Sequence, residues 1–274
     1  MKKTLIYFLV FVAVQLSIGS IASAVMKLWF PTVSATNPTA LLIMTAVCSV
    51  LLIALFLWLK WCPVSRNYIR SRPWVTLAWT VVLAIGIIIP LTWVMELIPQ
   101  SWLPNLMEDE MKDIMSTSEG YFVICMLAPL MEEIVFRGAI IRALTVWFSK
   151  RWGNTPALNE ISKAEWTAIF ISAVIFGIAH FNPAQIPYAL IVGVLLGWIF
   201  VKTGSIVPGF LIHWINNSAA YVFVKLFPTL PTDASLIDYF GSSSAVLRAV
   251  VCSLMIALPA LYQLVRMRRT TLQA

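Results

Sequence analysis

The chain has 274 residues, of which 60% are hydrophobic and 11% charged, with a mean hydropathy of +0.88. A soluble domain carries about a quarter charged residues, so this composition excludes an ordinary water-soluble fold and points to lipid as the solvent. The net charge of +7 does not imply a nucleic-acid partner, because the basic residues stand singly between apolar runs, the pattern that orients membrane proteins.

A helix needs roughly 20 apolar residues to cross a bilayer. In chain order such runs lie near 4–26, 40–60, 74–98, 119–149, 164–181, 185–201, 205–227 and 245–265. The first, with Lys2-Lys3 before it and Ala22-Ser23-Ala24 near its end, also fits a secretory signal over residues 1–24; it is read as an uncleaved helix. The fifth and sixth runs are short, and Asn182-Pro183 turns tightly between them, so one of the pair is expected to stop short of the far face.

Loop charge gives the orientation. With the N-terminus inside, thirteen basic residues fall on the cytoplasmic side (Lys2, Lys3, Lys60, Arg66, Arg70, Arg72, Lys150, Arg151, Lys163, Lys202, Arg266, Arg268 and Arg269) and three opposite (Lys27, Lys112 and Lys225). This bias puts both termini in the cytoplasm and requires an even number of spans. The expected fold is therefore an all-α polytopic bundle of about eight transmembrane helices. The acidic 96–119 loop lies outside on this reading. With no internal repeat or linker, residues 1–274 form one membrane domain, a multi-pass protein of the cytoplasmic membrane. Cys48, Cys62, Cys125 and Cys252 lack metal or disulfide spacing and read as small buried hydrophobes.

Ionisable groups inside a bilayer are costly and suggest function unless paired. The fourth run holds Glu132-Glu133, with Arg137 four residues after Glu133. That is the favourable helical ion-pair spacing, so Glu133 is matched to Arg137 and Glu132, about 100° round the helix, is left for chemistry as a general base. A buried ion-pair cluster that only locks helices together fits equally well. The fifth run carries Phe176 and His180 one turn apart; a packing histidine is the plainer alternative. The seventh carries His213 and Asn217 at i, i+4, with Asn216 beside them, donors suited to an oxyanion or to hydrogen bonding between helices. Taken together on three helices, these groups supply a base, a proton partner and an oxyanion hole, which implies attack of an activated water on a carbonyl.

In this order, Glu132-Glu133-(x3)-Arg137, Phe176-(x3)-His180 and His213-(x3)-Asn217 resemble the signature of the CAAX protease and bacteriocin-processing (CPBP, or Abi) family. The stretch Thr203-Gly204-Ser205-Ile206-Val207-Pro208 and the Gly193-x-x-x-Gly197 pattern resemble it too. The resemblance covers about 119–227, a catalytic core preceded by N-terminal helices over 1–118. It implies an intramembrane endopeptidase related to type II CAAX prenyl proteases, acting on a membrane-associated protein or peptide. On that resemblance Glu132 and His180 activate the water, His213 and Asn217 stabilise the oxyanion, and Glu133, Arg137 and Phe176 support the site. The sequence lacks a zinc-protease HExxH, and a metal-independent mechanism is expected; were zinc present, its ligands would be Glu132, His180 and His213. The competing classes are a non-catalytic immunity or scaffold protein of the same fold and an ion-coupled transporter.

Overall fold

The computed structural model describes residues 1–30, 37–63, 66–153, 160–230 and 234–269. Among the described residues every regular element is helical. The eight long helical stretches are α1 (Lys2–Trp29), α2 (Pro38–Trp58), α3 (Trp74–Met95), α4 (118–152), α5 (Lys163–Ile178), α6 (Ile186–Thr203), α7 (Ile206–Leu226) and α8 (Ser243–Arg266). Each occupies one of the apolar runs. Five of them, α1, α2, α3, α6 and α8, are long and apolar enough to cross a membrane. Their outer faces carry large exposed apolar side chains, such as Leu5, Leu9 and Leu16 on α1 and Leu247, Met255 and Leu258 on α8. Apolar surface this extensive is unsuited to water, and the protein is a multi-pass membrane protein.

Local chemistry sets the helix ends. Asn37 accepts hydrogen bonds from the backbone N–H of Thr39 at 3.0 Å and Ala40 at 3.3 Å, with Pro38 as the first helical residue of α2, a favoured start. Ser162 and Glu165 form a reciprocal capping box at the start of α5. Between α6 and α7 the chain reverses in two residues: Gly204 adopts φ 67° to close α6, and the Ser205 hydroxyl accepts from Val207 N–H to open α7. A left-handed φ at a helix end is where glycine is favoured.

α4 occupies the middle of the bundle, and all nine residues of its Glu133–Ile141 stretch are buried. It is not a regular α-helix. Tyr121–Leu127 and Glu133–Ile141 are π-helical, separated by a short α-helical turn, Ala128–Glu132. Around it, Phe11 of α1, Phe56 of α2, Phe136 of α4 and Phe176 of α5 belong to one core cluster. A second cluster joins α3, α6, α7 and α8 through Leu83, Leu196, Ile212 and Ala260. The glycine pattern on α6 does pack helices: Gly193 lies against Ala173 and Phe176, and Gly197 against Ile169 and Ile141.

Polar contacts gather at two ends of the bundle. At one, Asn182 is buried and clasps the 105–106 segment: its amide donates to Asn105 Oδ1 at 2.8 Å and its oxygen accepts from Leu106 N–H at 3.2 Å. Nearby, Lys112 donates to Leu230 O at 3.1 Å. At the other end, Arg269 pairs with Glu165, and Lys202 Nζ donates to Val265 O at 2.8 Å. The cysteines depart from expectation at one position. Cys48, Cys62 and Cys125 are buried, but Cys252 is exposed on the outer face of α8, where a small apolar side chain meets lipid without cost.

Candidate active site

α4, α5 and α7 bring most of the polar residues named from the sequence into one cluster. Glu133 and Arg137, one helical turn apart on α4, are in ion-pair contact at 3.0 Å, with side chains 0% and 1% exposed. The guanidinium carbon of Arg137 lies 4.3 Å from the Phe176 ring centroid, a cation–π contact, and Nη2 reaches Gly193 O at 3.5 Å. Arg137 thus ties α4 to α5 and α6. Gly209 gives α7 its close approach to α4, because a Cβ there would sit 2.6 Å from Glu133 Oε2.

His213 of α7 stands between the two carboxylates. Its Nε2 is 3.5 Å from Glu132 Oε2 and its Nδ1 is 3.5 Å from Glu133 Oε1. Glu132 differs from its neighbour in keeping 21% of its side chain exposed. One carboxylate of the pair is sealed against an arginine, and the other stays accessible.

His180 lies just past the end of α5, which stops at Ile178, rather than within a span. Its Nδ1 is 2.9 Å from Phe176 O. A carbonyl only accepts, so Nδ1 carries a proton, and in the neutral form of the ring Nε2 is then bare. Its ring meets Phe176 edge-on at 4.8 Å, while the His213 ring meets Phe176 at 5.9 Å. Phe176 therefore contacts both histidines and Arg137.

Asn217 lies one turn beyond His213, and its amide donates to Ile124 O at 3.0 Å. The reason is local. In the first π-helical stretch Ala128 N–H bonds to Val123 O, so the next carbonyl, that of Ile124, faces the nitrogen of Pro129, which has no hydrogen. Unsatisfied carbonyls in lipid cost several kcal/mol, and Asn217 fills the gap with one N–H, keeping a second. Asn217 Oδ1 accepts from Asn216 Nδ2 at 3.4 Å, and Asn216 Oδ1 accepts from the Tyr188 hydroxyl. Tyr188 escaped the sequence reading because a tyrosine in an apolar run carries no signal that separates it from packing aromatics.

Zinc would need three ligands around one point. Among the described residues no three His, Cys, Asp or Glu side chains are arranged to hold a metal ion, so Glu132, His180 and His213 do not fit that site as they stand.

Among known proteins, residues 117–219 match the family model described as "Type II CAAX prenyl endopeptidase Rce1-like". No curated protein and no solved structure matches the chain. The matched span takes in Glu132, Arg137, Phe176, His180, His213 and Asn217, so the three motifs lie within the part of the chain that is similar to this family.

Proposed function

We propose that the protein is an intramembrane endopeptidase that hydrolyses a peptide bond in a membrane-associated protein or peptide. The observation that carries this reading is the asymmetry of the adjacent carboxylates: Glu133 is sealed against Arg137, while Glu132 is partly exposed beside His213. Glu132, helped by the bare Nε2 of His180, takes a proton from water as its oxygen attacks the scissile carbonyl carbon. His213 and the unspent N–H of Asn217 stabilise the oxyanion that forms. Collapse of the tetrahedral intermediate breaks the C–N bond, and the proton passes to the leaving amine. Glu133, Arg137 and Phe176 hold these groups in place. No step in this scheme uses zinc.

Around this core the proposed topology is eight spans with both termini cytoplasmic, in a single domain over 1–274 with its catalytic core at 119–227. The proposed location is the cytoplasmic membrane. Support comes from the thirteen-to-three loop charge bias and from helices lying in all eight apolar runs.

A second assignment has its own support. Glu132 is in contact with His213, whereas His180 Nδ1 is committed to Phe176 O, so His213 can share the base role in place of His180. The test for the function is a comparison of membrane proteomes from cells carrying wild type or Glu132→Gln. Accumulation of uncleaved precursors in the variant is expected; identical proteomes would sink the protease reading.

A further inference from the structure

The chain of hydrogen bonds that ends at Asn217 begins on a helix to which the proposed chemistry assigns no residue. We propose that Tyr188 of α6 is a positioning residue for Asn217, acting through Asn216; this rests on the reading in which Asn217 faces the oxyanion. The polarity of the chain follows from its far end. Ile124 O cannot donate, so the Asn217 atom facing it at 3.0 Å must be Nδ2. Asn217 Oδ1 then faces Asn216 and must accept, which turns Asn216 Nδ2 toward it at 3.4 Å. Asn216 Oδ1 is left for Tyr188, whose hydroxyl donates to it.

An asparagine amide turned by 180° keeps its shape and exchanges donor for acceptor, so hydrogen-bond partners alone choose between the two orientations. The chosen orientation points N–H groups of Asn217, not its oxygen, at whatever its amide faces. Ile124 secures that orientation from one side and Asn216 from the other. Asn216 has no backbone carbonyl to fix it and depends on the tyrosine. In a low-dielectric interior each such bond polarises the next and a missing partner is costly. Tyr188 also connects two motifs that the sequence keeps apart: it lies eight residues after His180, and its bond ends on the residue preceding Asn217.

A tyrosine that only packs between helices would leave the asparagine amides unmoved when its hydroxyl is removed. The full-length chain with ¹⁵N-labelled asparagine, reconstituted in lipid bilayers, distinguishes the two. Side-chain amide signals of Asn216 and Asn217, assigned through Asn216→Ala and Asn217→Ala, should both shift in Tyr188→Phe, with a modest fall in unfolding temperature because the ring remains and one acceptor, Asn216 Oδ1, loses its donor. Unmoved Asn217 signals would overturn the proposal. The second readout uses membranes from Glu132→Gln cells as substrate and follows loss of accumulated precursor. Tyr188→Phe should slow it about tenfold, less than the roughly 10²–10³ of removing an oxyanion donor, and should add nothing to Asn217→Ala. Additive losses would mean that Tyr188 does not act through Asn217. If Glu132→Gln cells accumulate no precursor, the protease reading fails, and the amide signals still decide whether Tyr188 orients Asn217.

Discussion

Gly209 makes room for Glu133: a Cβ at position 209 would come within 2.6 Å of Glu133 Oε2. The carboxylate cannot simply swing aside, since it is buried and in contact with Arg137. Gly209→Ala should therefore destabilise the protein by about 1–3 kcal/mol, the usual range for overpacking, read as a lower unfolding temperature in detergent. An unchanged unfolding temperature would mean that α7 shifts freely against α4, contrary to this packing.

Arg137 joins Glu133, Phe176 and Gly193 O across three helices. Removing one partner of a buried ion pair typically costs about 3–5 kcal/mol, so Arg137→Ala should lower the yield of folded protein in the membrane. Arg137→Lys should recover little of it, because an ammonium lacks the planar group that lies over the ring. Loss of cleavage with yield and thermal stability intact would refute a supporting role.

Glu132→Gln keeps size and hydrogen bonding but removes the proposed base. Turnover should fall by about 10²–10⁴ with the unfolding temperature preserved. Glu133→Gln should do the reverse of this in stability, since it strands Arg137. Equal behaviour of the two variants would erase the distinction between a sealed and an accessible carboxylate.

Asn217 is proposed to serve two ends, and a second substitution separates them. Asn217→Ala leaves Ile124 O without a partner and should both destabilise the protein and lower turnover by about 10²–10³. Pro129→Ala supplies an N–H at the position that the Ile124 carbonyl faces. The double variant should regain stability without regaining activity. Recovery of both together would show that Asn217 is purely structural.

The arrangement of Glu132, His180 and His213 does not form a three-ligand metal site. Exhaustive chelation should accordingly leave activity unchanged. One zinc per chain by elemental analysis, with activity lost on chelation and restored by zinc, would convert these residues into ligands.

What the sequence could reveal depended on range. The Glu133–Arg137 contact was legible because helical spacing is a local rule, and the helix positions were legible because apolar runs are read directly. Five of the eight runs form single helices long and apolar enough to cross a membrane, whereas α4 is broken into α and π stretches. α5 has only 16 residues, and α7 carries His213, Asn216, Asn217 and Lys225 within 21. The meeting of His213 with both carboxylates depends on how α7 is rotated against α4, which no local pattern encodes. The π-helical stretches escaped for a related reason: in a helix apolar all round, a change of register leaves no polar marker. The Tyr188–Asn216 bond joins two helices and was equally invisible.

The repair that Asn217 makes at Ile124 has a consequence for reading descent. A copy of this gene that lost its activity would be free to lose Glu132, whose carboxylate satisfies no backbone group. It would not be free to lose Asn217 while Pro129 remained, because the Ile124 carbonyl would then lose its partner. On the proposed function, drift should therefore erase Glu132 first and spare Asn217, so the asparagine would mark inheritance of the fold and the glutamate a working enzyme.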